Sequence, residues 1–182
     1  MAFGSAVLVG VSTGSWNELP VLFALIISGA CAGFLPHNFP NARMFMGDVS
    51  SAPLGFLLAF LCLWLSVEYG WWLLVPLVLL HANFVLDTGI TLLRRIINGE
   101  KWYAPHREHF YQRLIRSGKS HTFVTLMEMD LQVTVLLLMV LYLNVTPPIR
   151  IALILSVFTI WGAFFMYCET QFRKSKVDIK AD

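Results

Sequence analysis

Charged side chains are scarce in this chain, and three groups of them have the types and spacing for chemistry on phosphates. Asp48 stands in NARMFMGDVSSAPLG, Asn41 to Gly55, behind the apolar Met44, Phe45 and Met46 and beside Gly47. Asp87 ends an apolar run and precedes the Arg94 and Arg95 pair. The segment APHREHFYQRLIRSGKSH, Ala104 to His121, carries His106, Arg107, His109, Arg113, Arg116 and Lys119. Carboxylates, histidines and guanidinium groups gathered on one face suit a phosphate-rich, metal-bound ligand. Mg²⁺ takes one or two carboxylates plus phosphate oxygens, and the guanidinium fork binds phosphate bidentately.

Each of these residues also has a plainer reading. Arginines at one membrane face can serve as positive-inside anchors without any ligand. Asp48 can be the N-cap of a helix that begins near Ser50, where Ser50 and Ser51 could cap equally well. Asp87 and Arg94 lie two helical turns apart on nearly the same face, so a structural pair through an intermediate residue stands beside a catalytic role. Glu128 and Asp130 are acids within or at the edge of an apolar run, where charge is costly and therefore a functional candidate. Being two apart they point to nearly opposite faces of a helix, which speaks against a shared metal site. His81 reads as a satisfied interior histidine, and His37 and His121 as loop residues. Cys31, Cys62 and Cys168 share no CxxC spacing and read as structural.

The elements that must position these groups are membrane spans. Of 182 residues, 57% are hydrophobic and only 13% charged, and the mean hydropathy is +0.68, outside the soluble range in which about a quarter of residues carry charge. The net charge of +2 is small and not spread as on a nucleic-acid-binding face, so no nucleic-acid partner is expected. A hydrocarbon core of about 30 Å needs about 20 apolar residues in a helix. Leu19 to Leu35, Val49 to Val67, Tyr69 to Leu86, Phe123 to Leu143 and Ile151 to Cys168 meet that need, whereas Ala2 to Val11 is short. With the Arg94 to His121 segment placed inside, every Lys and Arg except Arg150 falls on the cytoplasmic side. External loops are then short: Ser12 to Glu18, the region of Glu68, and Asn144 to Arg150, where Pro147 and Pro148 mark a turn. The expected fold class is an all-α integral membrane protein of about six transmembrane helices, the first of them truncated, with both termini cytoplasmic. It forms a single transmembrane domain over 1–182, with cytoplasmic loops at about 36–50 and 88–122 and a cytoplasmic tail over 169–182. Sites of small transporters lie near the bilayer midplane, and the gathering of charge at one face argues against that class.

FMGDVSS followed by a hydrophobic span resembles the FMGD signature of the polyprenyl-phosphate N-acetylhexosamine-1-phosphate transferases, the MraY/WecA superfamily, similar to glycosyltransferase family 4. Asp87, Thr88, Arg94, Arg95, Gly99, Pro105, Arg107 and His109 fall in the order and spacing of that superfamily's late cytoplasmic segment. The resemblance covers essentially the whole chain but only the C-terminal half of the family. It implies a bacterial inner (cytoplasmic) membrane enzyme, multi-pass and with its active face cytoplasmic. Such an enzyme moves an N-acetylhexosamine-1-phosphate from a UDP-N-acetylhexosamine to polyprenyl (undecaprenyl) phosphate, releases UMP and initiates a lipid-linked cell-surface polysaccharide. The implied cofactor is Mg²⁺, with Mn²⁺ as the alternative, and the partners are the two substrates and the lipid bilayer, with a homodimer as one option for assembly. Asp48 corresponds to the metal-binding aspartate and, with His109, to the catalytic pair. Arg107, His109, His106 and Arg94 correspond to the nucleotide and phosphate site.

The pattern departs from the family in two ways. Where one branch has two further histidines after His109, this chain has Tyr111 and Gln112, and HREHFYQRL resembles instead the branch that makes O-antigen or capsule precursors. The family's early aspartate pair and its Asn-x-x-Asn-x-x-Asp-Gly-x-Asp-Gly segment do not occur. MAFGSAVLVG resembles the stretch that comes directly after that segment in the family, so the sequence as written is expected to be incomplete. The competing expectation, of a different class, is a catalytically inactive membrane fragment that binds lipid or docks on a separately encoded partner half.

Overall fold

The computed structural model describes residues 1–40, 43, 44, 46–101, 103 and 108–181, with the side chains of Asp48 and of residues 176–181 outside that description. Among the described residues the α-helices are, in order, α1 Ala2–Thr13, α2 Leu19–Phe34, α3 Gly47–Tyr69, α4 Leu74–Leu79, α5 Ala82–Ile97, α6 Phe110–Arg116, α7 His121–Leu143 and α8 Pro147–Ala181. No strand occurs among the described residues. Leu19–His37, Val49–Tyr69, His121–Leu143 and Pro147–Ser175 are each long and apolar enough to cross a membrane, and a further span is available if the segments Trp71–Leu79 and Ala82–Ile97 together form one. Their outward faces carry Ile26, Phe56, Leu137, Leu155 and Met166, all well exposed. Bare apolar side chains on helices whose backbone bonds close internally are what hydrocarbon requires. The chain is an all-α, multi-pass membrane protein.

The residues form two compact units. The first comprises Met1–His81 with Gln132–Ile154. Here α1 packs on α2 through Ala6, Leu8, Val9, Val21 and Ala24, none of which retains solvent exposure. Gly4 and Gly10 of α1 leave room for other neighbours: a Cβ at Gly4 would lie 3.1 Å from the Leu80 side chain, and one at Gly10 would lie 2.5 Å from the Trp16 ring. The helix stops at Gly14, whose φ of 74° places it in the left-handed region, with its N–H donating to the Gly10 carbonyl. At twelve residues α1 is about 18 Å long, as short as its sequence suggested.

The run from Tyr69 to Leu86, expected as one span, is interrupted at Leu80 and His81, between α4 and α5. The polar groups freed by the break find partners within the first unit. The His81 N–H donates to the Val78 carbonyl at 2.9 Å, and Gln132 Nε2 donates to the Leu80 carbonyl at 2.9 Å. His81 Nδ1 lies 2.9 Å from the Leu77 carbonyl oxygen and therefore donates to it. Non-helical backbone at membrane depth persists only where protein groups take over its hydrogen bonds. His81 is thus an interior histidine that helps to hold the break through Nδ1, but it is only half satisfied, because its buried Nε2 has no hydrogen-bond partner among the described residues.

The second unit comprises Ala82–Leu131 with Leu155–Asp182. Most of the expected 88–122 loop is helical, because α5 continues to Ile97 and α6 occupies Phe110–Arg116. The expected tail is helical as well, since α8 runs to Ala181. Pro147 and Pro148 open α8 instead of forming a turn. At a first helical turn the missing proline N–H costs nothing and the fixed φ is already helical.

Gly70, between α3 and α4, has φ 120° and ψ 141°, a region nearly closed to other residues, and a Cβ there would lie 2.6 Å from the Trp72 ring. Gly29, inside α2, has open space around it. Gly70→Ala is expected to destabilise the protein by roughly 1–3 kcal/mol, whereas Gly29→Ala is expected to stabilise it by about 0.5–1 kcal/mol through its better helix propensity. Thermal unfolding in detergent should therefore move in opposite directions for the two variants, and a shared direction would refute the account of Gly70.

Candidate functional site

In the second unit, charge is concentrated where α5, α6 and α8 meet. Asp87, on α5, is buried at 7% exposure. Its Oδ1 accepts three hydrogen bonds: from the Thr91 hydroxyl at 3.1 Å, from His109 Nδ1 at 3.2 Å and from the Phe110 backbone N–H at 3.2 Å. Thr91 sits one helical turn beyond Asp87, the spacing at which side chains on a helix meet. Phe110 is the first residue of α6, whose early N–H groups have no partner within the helix. Asp87 thus holds the start of α6 and the ring of His109 from a separate helix.

Arg94 and Arg95 leave α5 toward different partners. Arg94 Nη1 lies 3.6 Å from Glu169 Oε2, and its guanidinium covers the Phe110 ring at 4.9 Å. Because Asp87 receives the Phe110 N–H, Phe110 is the intermediate residue through which Asp87 and Arg94 are connected. Arg95 is buried. Its Nη2 donates to the Lys101 carbonyl at 2.7 Å, and its Nη1 lies 3.1 Å from Glu100 and 3.8 Å from Glu108. Gly99, with φ 69°, ends α5 in the left-handed turn that a glycine accommodates.

Arg113 of α6, also buried, ties three stretches of chain together. Its Nε donates to the Glu108 carbonyl at 3.0 Å, its Nη1 to Glu169 Oε2 at 2.7 Å, and its guanidinium stands over the Phe172 ring at 5.1 Å. Glu169 accepts from Arg173 as well, at 2.9 Å. One carboxylate on α8 therefore faces arginines from α5, α6 and α8. Glu169 was not singled out in the sequence, where it is one residue past an apolar run. Its spacing to Arg173 was the only legible signal, since Arg113 lies 56 positions away.

The His109 ring stacks on Tyr111, with centroids 6.1 Å apart and planes 14° apart. Burial raises the Tyr111 phenol above its ordinary pKa, and the nearby Glu128 and Asp87 push the same way against the hydrogen bond from Gln112. Tyr111 is therefore a neutral phenol at physiological pH. Glu128 is hydrogen-bonded by the Asn83 side chain.

Of the sequence-derived candidates, His109 and Arg94 belong to this cluster in the second unit. Asp48 lies at the start of α3 in the first unit, and its side chain, with the residues His106 and Arg107, lies outside the described residues. Among the described residues no group of three His, Cys, Asp or Glu is arranged to hold a metal ion. Asp87 Oδ1 is already engaged by three donors.

The Glu169 clamp makes a direct prediction about stability. Glu169→Ala leaves the buried Arg113 with only the more distant Glu108 carboxylate, at 3.8 Å, and is expected to cost about 3 kcal/mol, the lower end for breaking a buried pair. Arg173→Ala removes the partner whose side chain is 76% exposed and should cost under about 1 kcal/mol. Thermal denaturation of the two variants in detergent checks this, and equal losses would show that Glu169 acts only as a surface pair.

Residues 1–66 match the family described as Glycosyl transferase family 4. A decaprenyl-phosphate N-acetylglucosaminephosphotransferase of Mycobacterium leprae is 34% identical, over 59% of this chain and 30% of the relative. A probable undecaprenyl-phosphate N-acetylglucosaminyl 1-phosphate transferase of Bacillus subtilis is 31% identical, over 65% of this chain and 33% of the relative. A phospho-N-acetylmuramoyl-pentapeptide-transferase of Moorella thermoacetica is 35% identical, over 50% and 28% respectively. No solved structure matches the chain. The chain spans about a third of the length of these curated relatives. The match over 1–66 and these partial likenesses make the chain similar to glycosyl transferase family 4 and to the polyprenyl-phosphate sugar phosphotransferases and phospho-N-acetylmuramoyl-pentapeptide-transferases of the MraY/WecA superfamily.

Proposed function

We propose that this chain is the part of a membrane phosphotransferase that carries its FMGD aspartate and its basic histidine segment. The reaction is transfer of an N-acetylhexosamine-1-phosphate from a UDP-sugar to polyprenyl phosphate with release of UMP, on the cytoplasmic face of a bacterial inner membrane. The observation that carries the reading is His109, fixed by Asp87 at the mouth of a segment in which Arg94, Arg95 and Arg113 are ordered by carboxylates. The curated relatives whose names specify polyprenyl-phosphate sugar phosphotransfer support it.

In the transfer, an oxygen of the lipid phosphate bonds to the phosphorus that bears the sugar, and the bridging bond to the uridine-linked phosphate breaks. UMP carries away the electron pair. Such displacement depends on positioning and on neutralising the phosphate oxygens. Arg107, His106 and His109 would donate to those oxygens, and Arg94, held on Glu169 and over Phe110, would add positive charge from behind the segment. Asp48 would hold Mg²⁺, or Mn²⁺ in its place, and the ion when bound supplies charge neutralisation across the phosphates. The positive-inside bias supports a cytoplasmic position for these groups, the side from which a nucleotide sugar arrives.

The test is a chimera in which this chain replaces the corresponding third of the Bacillus subtilis relative, assayed in membranes for UMP release from UDP-N-acetylglucosamine with undecaprenyl phosphate. The chimera should be active, and Asp48→Asn should lower its rate by at least about 10²- to 10³-fold, the scale for losing one group that stabilises transition-state charge. Arg107→Ala should lower it by a similar factor while the protein still inserts, because one charge among many does not set topology. An inactive chimera that inserts normally would favour the inactive membrane fragment, and an Asp48→Asn variant of full activity would reduce Asp48 to a helix cap.

A further inference from the structure

We propose that Asp87 is a positioning residue for the transfer: it fixes the plane and the protonation pattern of His109 so that Nε2, and not Nδ1, faces the phosphates. The inference rests on the phosphotransferase reading above and assigns a role to a residue outside the metal-binding aspartate and the basic segment.

The direction of the Asp87–His109 bond is set by its neighbours. Oδ1 of Asp87 lies 3.2 Å from the Phe110 N–H, which can only donate. It also lies 3.1 Å from the Thr91 hydroxyl, which donates to it. An oxygen accepting from two donors is an acceptor toward the third, so His109 Nδ1, at 3.2 Å, carries a proton. In a neutral imidazole the lone pair is then on Nε2, and in the charged ring Nε2 bears the second N–H. Either form presents Nε2 away from Asp87, as an acceptor when neutral and as a donor to phosphate oxygen when charged.

Three features indicate more than a helix cap. Capping α6 would need only the Phe110 N–H, yet the same oxygen also takes the His109 ring. Thr91 holds the same carboxylate oxygen from within α5. Tyr111 stacks on the ring from α6 itself, so the plane of His109 is set from two elements. Burial of Asp87 places this charge–ring interaction in a low-dielectric setting, where an ordered acceptor acts strongly on its donor.

Nitrogen-15 spectroscopy of the His-labelled 182-residue chain in lipid nanodiscs tests the geometry, with His109 assigned by its loss in His109→Gln. The neutral ring of the unsubstituted chain should carry its proton on Nδ1. Asp87→Ala should shift that proton toward Nε2, and Asp87→Asn, whose carbonyl oxygen can take the place of Oδ1, should restore the original pattern. In the chimera described above, Asp87→Ala should lower kcat by about 10- to 100-fold, the range for removing the group that orients a functional histidine, with little change in KM for the UDP-sugar, and Asp87→Asn should recover part of the loss. A neutral ring protonated on Nε2 in the unsubstituted chain overturns the inference even if Asp87→Ala fails to fold. So does an Asp87→Ala variant that folds with an unchanged ring, or one whose loss appears in KM alone. An unsubstituted chimera that releases no UMP overturns the phosphotransferase reading instead, and with it the role toward phosphate, whatever the ring shows.

Discussion

A guanidinium taken out of water costs several kcal/mol unless its charge and its N–H groups are met, and the second unit is arranged around that constraint. Arg95 and Arg113 are both buried. Glu108 stands within 3.8 Å of each of them, and Glu169 takes Arg113 at 2.7 Å. Because these four residues come from α5, from the stretch before α6, from α6 and from α8, meeting the charges fixes where those stretches run. The aromatic rings of Phe110 and Phe172 then lie under Arg94, Arg113 and Arg116, where the quadrupole of the ring adds to the carboxylates. Asp87 completes the arrangement by holding the first turn of α6 from α5.

A different constraint governs the first unit, in which charge is nearly absent. There the backbone itself must be satisfied, and small side chains and well-placed polar ones do so. Gly10 and Gly14 let α1 end and turn toward Trp16, whose ring would be 2.5 Å from any Cβ on Gly10. Ser66 returns its hydroxyl to the Cys62 carbonyl at 2.6 Å, as hydroxyls do inside apolar helices. The interruption at Leu80 and His81 is tolerated because Gln132 and His81 supply hydrogen bonds where hydrocarbon offers none. Glutamine within α7 is thus a structural residue of a neighbouring break.

The sequence made the helices legible where the signal was a long apolar run: α2, α3 and α7 begin and end within a few residues of the expected limits. It was misleading where a run of the right length and composition hides a break, since hydropathy from Tyr69 to Leu86 carries no mark of the partner at Gln132, 52 positions from Leu80. Segments rich in charge were read as loops, because polar composition alone does not separate a loop from an amphipathic or ion-paired helix such as α5 or α6. At the candidate site the residue types were legible and their partners were not. A pair of Asp87 and Arg94 through an intermediate residue was one of two readings left open, and the intermediate, Phe110, is an apolar residue with no signal of its own. Thr91 at one turn from Asp87 could have been found from helical spacing. Glu169 could not, because its principal partners come from other helices.

The same geometry bears on the choice between anchoring and function for the basic residues. A positive-inside anchor needs only charge in contact with water or lipid headgroups, and Arg173, with its side chain 76% exposed, has that character. Arg95 and Arg113, with side chains 8% and 10% exposed, are withdrawn from the interface and neutralised by glutamates, which is a poor arrangement for anchoring. Their charge acts inward, on Glu100, Glu108 and Glu169. Arg113 also binds the Glu108 carbonyl, next to His109, so the buried arginines fix the residue from which His109 and α6 follow. Fixing backbone in advance of any contact is what pre-organisation means physically, because the conformational freedom is already given up in folding.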